Sequence, residues 1–337
     1  MPLYQILNND NRLKPFHSSE LGSRYFEKDL EDWLEANPQV LVSDEPLLII
    51  GRQVNTPVGV IDLLALDAEG AIVVVELKRA PNQRSTIAQS LEYAAWLCEI
   101  NEAKIIQIAE SYFAQKKSLS LVQAWQHVFN SELPNLSPGV QHRIFIVIEG
   151  ENERLTSVAK YLRNAGVDIS MLAYNFYRTE GDDEILDIEK IIGDDEKFVS
   201  SDQSGTHAFP TESELMEKWR NEVREAYLVF KEKIVQHDLV YMIKKTQISY
   251  RKITNEGKIF VCGFHGSGKN FKIWLRSDTL SSIFDFQDVA NEIKAEKDKE
   301  IEILHTDVWF VITYPANEDR AMEAANLIIN KIASRIE

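Results

Sequence analysis

Two nearly continuous apolar runs, residues 58–66 and 71–77, lie at the centre of the chain's organisation. Rich in leucine and β-branched residues and of strand length, they predict adjacent antiparallel strands buried on both faces. The intervening Asp67-Ala68-Glu69-Gly70 is a turn-forming cluster that makes them a hairpin. Upstream, Phe26, Leu30, Trp33 and Leu34 predict a helix from Ser23 that ends near Asn37-Pro38, where proline disfavours continuation. Residues 47–50 then open the sheet and residues 51–57 carry it to the hairpin, with Gln53 lining the cleft. After a loop at 80–83, Ser85 caps a helix through Ile87, Leu91, Ala94 and Ala95. Helical spacing returns from Ile105 to Phe113 and from Leu121 to Phe129. Residues 143–148 form a strand, residues 155–162 a helix ending at Gly166, and residues 169–177 a further strand, a β-α-β order that completes a mixed sheet.

The hairpin carries charges where buried strands should have none. Side chains alternate across a strand, so Glu76 and Lys78 share a face and Leu77 points the other way. A two-residue turn sets Asp62 against Val75, whereas one bulged residue near Gly70 sets it against Glu76. Isolated charges in an apolar sheet cost several kcal/mol, roughly, unless they are paired or hold a metal. Asp62, Glu76 and the Leu77 carbonyl offer three hard oxygens suited to Mg2+ or Mn2+, with Lys78 beside the water such an ion carries. The competing account is an ion pair of Glu76 with Lys78 at a strand end and an Asp62 that belongs to a turn.

Ile61-Asp62, followed after the hairpin by Glu76-Leu77-Lys78, resembles the PD-(D/E)xK, or restriction-endonuclease-like, superfamily. Ile61 stands where the motif has proline. The stretch QSLEYAAWL, with Gln89 and Tyr93 four residues apart, resembles the helix with which the RecB-like branch completes its active site. The segment EKDLEDWLEANPQVL looks like the first helix of such nucleases, from which an additional metal-shell carboxylate is drawn; Glu31 fits that role better than Glu27. The resemblance covers residues 23–192. It implies an α/β fold with a mixed sheet flanked by helices, and a Mg2+-dependent deoxyribonuclease acting on single-stranded, branched or duplex DNA. Asp62, Glu76, Lys78, Gln89 and Tyr93 would form its catalytic set and Asp62, Glu76, Leu77 and Glu31 its metal shell.

Composition modifies this picture at the margins. Lys+Arg 37 against Asp+Glu 53 gives a net charge of -16, which disfavours coating a polyanion over a broad surface. A local cation and a small basic cluster, Lys78, Arg79 and Arg84, remain compatible with phosphate entering a cleft. The seven histidines lack ligand spacing, and the two cysteines, Cys98 and Cys262, suggest buried thiols rather than a disulfide or zinc site. No apolar stretch is long enough to span a bilayer and no signal peptide pattern is present, so the cytoplasm is the expected location.

Residues 1–22 read as an extension and the acidic stretch 193–214 as a linker. Residues 215–337 then form a second, smaller α+β domain of unassigned role. Within it, strands are expected at 248–250, 258–264, 270–276 and 308–314, with helices around 219–230, 289–293 and 321–336. The glycine-rich run from Gly263 to Lys269 has P-loop spacing, but Asn270 replaces the required Ser or Thr and a strand follows, so it reads as a hairpin turn. Arg251, Lys252, Lys269, Lys272 and Arg276, with Phe271 and Trp274, are candidate nucleic-acid contacts on that hairpin, against the simpler account of solvated charges. The rival to a nuclease is a catalytically silent member of the fold, binding nucleic acid or a protein partner through the second domain. Oligomeric state stays open, a homodimer included.

Overall fold

The computed structural model describes residues 4–7, 12–15, 17–18, 25–79, 84–116, 119–136, 142–178, 184–193, 210–244, 247–254, 257–295 and 300–336. The loop expected at 80–83 and most of the expected linker lie outside the described residues. Three short strands come first, β1 (Tyr4–Leu7), β2 (Arg12–Pro15) and β3 (His17–Ser18). Helix α1 (Glu27–Ala36) precedes the meander β4 (Leu48–Thr56), β5 (Gly59–Leu66) and β6 (Ile72–Lys78). Helices α2 (Arg84–Glu99), α3 (Glu102–Gln115) and α4 (Leu121–Phe129) follow. The β7 (Arg143–Glu149), α5 (Glu153–Asn164), β8 (Ile169–Arg178) unit then leads to β9 (Glu184–Ile192).

These strands make one mixed sheet in the order β4-β5-β6-β7-β8, with β9 beside β8 and β3 adding to β8. Pairing is antiparallel through β4, β5 and β6, parallel from β6 to β8, and antiparallel again at β9. Both faces are covered, as the continuous apolar runs predict. Leu63, Ala65, Val73, Val75 and Leu77 pack under Leu30 and Leu34 of α1, while Leu64, Leu66, Ile72 and Val74 pack under Tyr93, Leu97, Ile105 and Trp125. Phe26 is an exception to the helix pattern: it caps α1 with 70% of its surface exposed. Ser85 is a correction of the same kind, lying inside the first turn of α2 rather than at its cap. Strand β9 has no counterpart among the sequence expectations.

The second sheet runs β10-β11-β12-β13-β15-β14. It begins after α6 (Glu212–Glu217) and α7 (Asn221–Ile234), with β10 (Leu239–Ile243), β11 (Gln247–Thr254), β12 (Gly257–Ser267) and β13 (Asn270–Arg276). Then come α8 (Ser277–Leu280), α9 (Phe286–Ala295), β14 (Glu302–His305), β15 (Trp309–Pro315) and α10 (Glu318–Ile328). Thr211 and Glu214 exchange hydrogen bonds as a capping box, so α6 takes in the end of the stretch expected as linker. The glycine-rich run is a hairpin, with Ser267 paired to Asn270 and Gly268 alone at φ +58 in the turn, which suits a type II′ geometry.

Period-2 alternation divides this second sheet sharply. Ile248, Tyr250, Phe271, Ile273, Phe310 and Ile312 face α7 and α10, whereas the alternate residues face the first domain. That corrects the expected nucleic-acid surface in part: Lys269 is exposed in the hairpin turn, Lys252 donates to the Ala333 carbonyl, and the others are taken up inside the protein. Arg251 and Lys272 are buried, the first paired with Asp44 at 3.0 Å and the second donating to the Phe129 carbonyl at 2.7 Å. Arg276 donates to the Ser43 carbonyl and pairs with Asp278, and Phe271 and Trp274 are buried. A second correction concerns the thiols: Cys262 is buried, but Cys98 is exposed.

Candidate active site

The β5–β6 turn decides which residues meet. Asp67 N–H donates to the Ala71 carbonyl and Gly70, at φ +78, closes a three-residue loop, the bulged alternative of the two registers. Leu63 then pairs with Val75, so Asp62 and Glu76 stand opposite each other where the ladder ends. There the Leu77 N–H donates to Asp62 Oδ2 at 2.8 Å. Within a strand the N–H and C=O of one residue point to the same side, so the Leu77 carbonyl also faces Asp62.

Helix α1 brings further carboxylates to this point. Glu27 and Glu31 lie one turn apart, and each offers an oxygen that lies within 4.8 Å of the others and of one from Asp62. Glu76 lies outside that triad; its carboxylate is fully buried and neither oxygen has a hydrogen-bond partner. The Lys78 amine forms an ion pair with Glu76 Oε1 at 2.8 Å and lies 3.9 Å from Glu27 Oε1. Lys78 therefore links the triad to Glu76.

Electrostatics follow from burial. Glu76 is pushed up to about 7, first by desolvation and then by the Asp62 charge. Asp62 and Glu31 are likewise raised, burial being the main cause. Burial pulls the Lys78 amine down, but Glu76, Asp62 and Glu27 outweigh it and leave the pKa above its usual value. Lys78 is thus an ammonium at neutral pH.

Gln89 and Tyr93 do not reach the carboxylates directly. Gln89 Nε2 donates to the Tyr93 hydroxyl at 2.9 Å, and that hydroxyl donates to the Val60 carbonyl at 2.8 Å. Together they tie α2 to β5 two residues before Asp62. Two other contributors come from β4. Arg52 pairs with Asp32 and donates to Glu31 at 3.0 Å, Glu35 at 3.2 Å and the Lys28 carbonyl at 3.2 Å, fixing α1 by its acidic face. Gln53 Nε2 donates to Glu31 Oε1 at 2.9 Å and Asp62 Oδ1 at 3.1 Å. The sequence pattern marks Gln53 as cleft-lining but carries no sign of the Arg52 clamp, which depends on how α1 crosses β4.

The donor set suits a hard divalent cation. Converging carboxylates and a buried Glu76 without hydrogen bonds are the oxygens that such an ion, rather than a soft metal, would satisfy. A cleft of about 570 Å3 opens beside them, lined by Glu27, Glu31, Arg52, Asp62, Tyr112 and Lys116 among others.

Comparison with known proteins singles out the same segment. Residues 26–117 match the family described as the Endonuclease NucS C-terminal domain. Over 76 residues the chain is 37% identical to a protein named Endonuclease NucS from Sulfolobus acidocaldarius, covering 23% of this chain and 30% of that protein. A protein of the same name from a Parafrankia strain is 42% identical over 55 residues, 14% of this chain and 25% of the relative. The chain therefore spans less than a third of the length of these relatives. A solved structure titled "Structure of EndoMS-dsDNA2 complex" overlaps 50% of this chain and 59% of its own at 16% identity, with a TM-score of 0.24, too slight an overlap to bear on fold or function. The family match thus runs from α1 to α3 and contains every residue of the site described above.

Proposed function

We propose that the chain is a divalent-metal-dependent DNA nuclease that hydrolyses phosphodiester bonds at the β5–β6 strand ends. The observation that carries this reading is the buried Glu76, opposite Asp62 and paired with an ammonium at 2.8 Å, beside the converging carboxylates of Glu27, Glu31 and Asp62. The endonuclease names of the relatives that match this segment support it. Asp62 and Glu76, with Glu31, Glu27 and the Leu77 carbonyl, would hold Mg2+ or Mn2+. When bound, such an ion supplies charge that polarises a scissile phosphate and makes nearby water more acidic.

The protein's own groups supply the rest. Lys78, protonated at neutral pH, cannot accept a proton; it orients the attacking water and stabilises negative charge developing on the phosphate. Leu77 N–H fixes the rotamer of Asp62, and Arg52 fixes that of Glu31. Tyr93 and Gln89 are positioning residues that hold β5 in place. The test is incubation of the full chain with single-stranded, duplex and branched DNA in Mg2+, Mn2+ or EDTA. Cleavage of at least one substrate that depends on the divalent ion is expected; no cleavage of any in either metal overturns the proposal.

A further inference from the structure

Gln53 lies between the ladder pairs Arg52–Leu63 and Val54–Ile61, directly across from Asp62, and its φ is +47. A non-glycine residue in that region is strained, and such strain persists where surrounding structure holds it. Here the side chain is exposed rather than packed. What holds it is a pair of hydrogen bonds from one amide nitrogen to two carboxylates, Glu31 at 2.9 Å and Asp62 at 3.1 Å. Those two are members of the triad whose oxygens lie within 4.8 Å of one another. The Gln53 amino group thus occupies the bridging position that a cation ligated by both carboxylates would take.

We propose that Gln53 is a cation surrogate: its amide nitrogen keeps Glu31 and Asp62 converged in the metal-free protein and leaves when a divalent cation binds. This rests on the metal-site reading given under the proposed function. An exposed side chain can swing away without repacking the core, so the exchange costs chiefly the two hydrogen bonds. An interaction made in only one of two states opposes the other by its own contribution. Gln53 therefore weakens metal binding while it preorganises the ligands.

The experiment combines Mn2+ titration calorimetry with thermal unfolding in EDTA for the wild type, Gln53→Met and Asp62→Asn. The Met variant keeps the length of the side chain and removes both donors. It is expected to unfold about 3 °C lower in EDTA and to bind Mn2+ about tenfold more tightly. Should it fail to fold, Gln53→Gly, which adopts φ +47 freely and so changes stability by relieving strain as well, is read by its Mn2+ affinity alone. Equal Mn2+ affinity in the variant and the wild type overturns the surrogate role, and weaker affinity overturns it by making Gln53 a ligand. A wild type that binds no Mn2+, or an Asp62→Asn variant that binds it as well as the wild type, overturns the metal site itself and the surrogate with it.

Discussion

Glu76 is buried against the Lys78 ammonium at 2.8 Å, and its second oxygen stays without a partner unless a proton or a further cation joins it. Glu76→Gln changes charge with little change of volume, so the fold should survive while the proposed metal site fails. Cleavage is expected to fall by more than about a hundredfold, since outer partners alone cost ten- to a hundredfold; activity within tenfold of the wild type would remove Glu76 from the chemistry. Lys272 presents the opposite case. Burial pulls its amine down to about 8 against an ordinary 10.5, partly offset by Glu302 and Glu69. The folded state thus holds this proton less tightly than the unfolded state, and between pH 8 and 10.5 the unfolded chain binds more protons. Stability should rise across that window by about 3 kcal/mol from this group alone. Urea unfolding at pH 7.5 and 10 should show that rise in the wild type relative to Lys272→Gln; parallel pH profiles would refute it. Asp62, Glu76 and Lys78 are legible in the sequence because charge is anomalous in an apolar run. The burial of Lys272 is not, because a charge on an alternating strand looks the same facing water or another domain.

Helix α2 approaches the start of β5 closely at Gly59. Gly59 has φ +143, and a Cβ there would come within 2.8 Å of the Tyr93 hydroxyl and 3.1 Å of its ring. Gly59→Ala therefore has to push Tyr93 away from the Val60 carbonyl, and with the backbone strain this should cost about 2–3 kcal/mol. Tyr93→Phe fits the space and gives up only the hydroxyl's bonds, about 1 kcal/mol. Both should lower cleavage, because the contact fixes the strand two residues before Asp62. Urea midpoints decide the order, and a Gly59→Ala protein as stable as Tyr93→Phe would show the approach is slack. Strands β4, β5 and β6 and helices α1 to α5 are readable from periodicity, since each buries a continuous face. The edge strands β9, β10 and β14 are not among the expected strands: β9 (EILDIEKII) and β10 (LVYMI) are rich in β-branched and apolar residues, but each is only partly buried and lacks the continuous two-sided burial of the central strands, and β14 has only four residues. The three-residue turn at Gly70 was one of two open registers, and only the fold selects it.

At the scale of the whole molecule, the second domain acts as a clamp on the segment between α1 and β4. Asp44 is buried there, and its carboxylate accepts from Ser249 at 2.8 Å and Arg251 at 3.0 Å and lies 3.3 Å from the Lys244 amine. Gln247 donates to the Asp44 carbonyl and Arg276 to that of Ser43. The same segment connects the helix carrying Glu27 and Glu31 to the strand carrying Gln53, so fixing it sets the distance between them. Breaking a buried charge cluster by removing one member costs about 3–5 kcal/mol. Asp44→Ala in the full chain should therefore lower the urea midpoint, and protection of 41–47 from amide exchange should fall with it. Residues 1–195 expressed alone contain every proposed ligand and should keep metal-dependent cleavage per folded molecule. They should be less stable than the full chain, because Asp44 then has none of its partners from the second sheet. Removing the second sheet also opens Asp44 to water, so replacing it by Asn should leave that fragment's stability nearly unchanged, whereas in the full chain the same change should destabilise. If Asn shifts both proteins by the same amount, the clamp through Asp44 is not what joins the two domains.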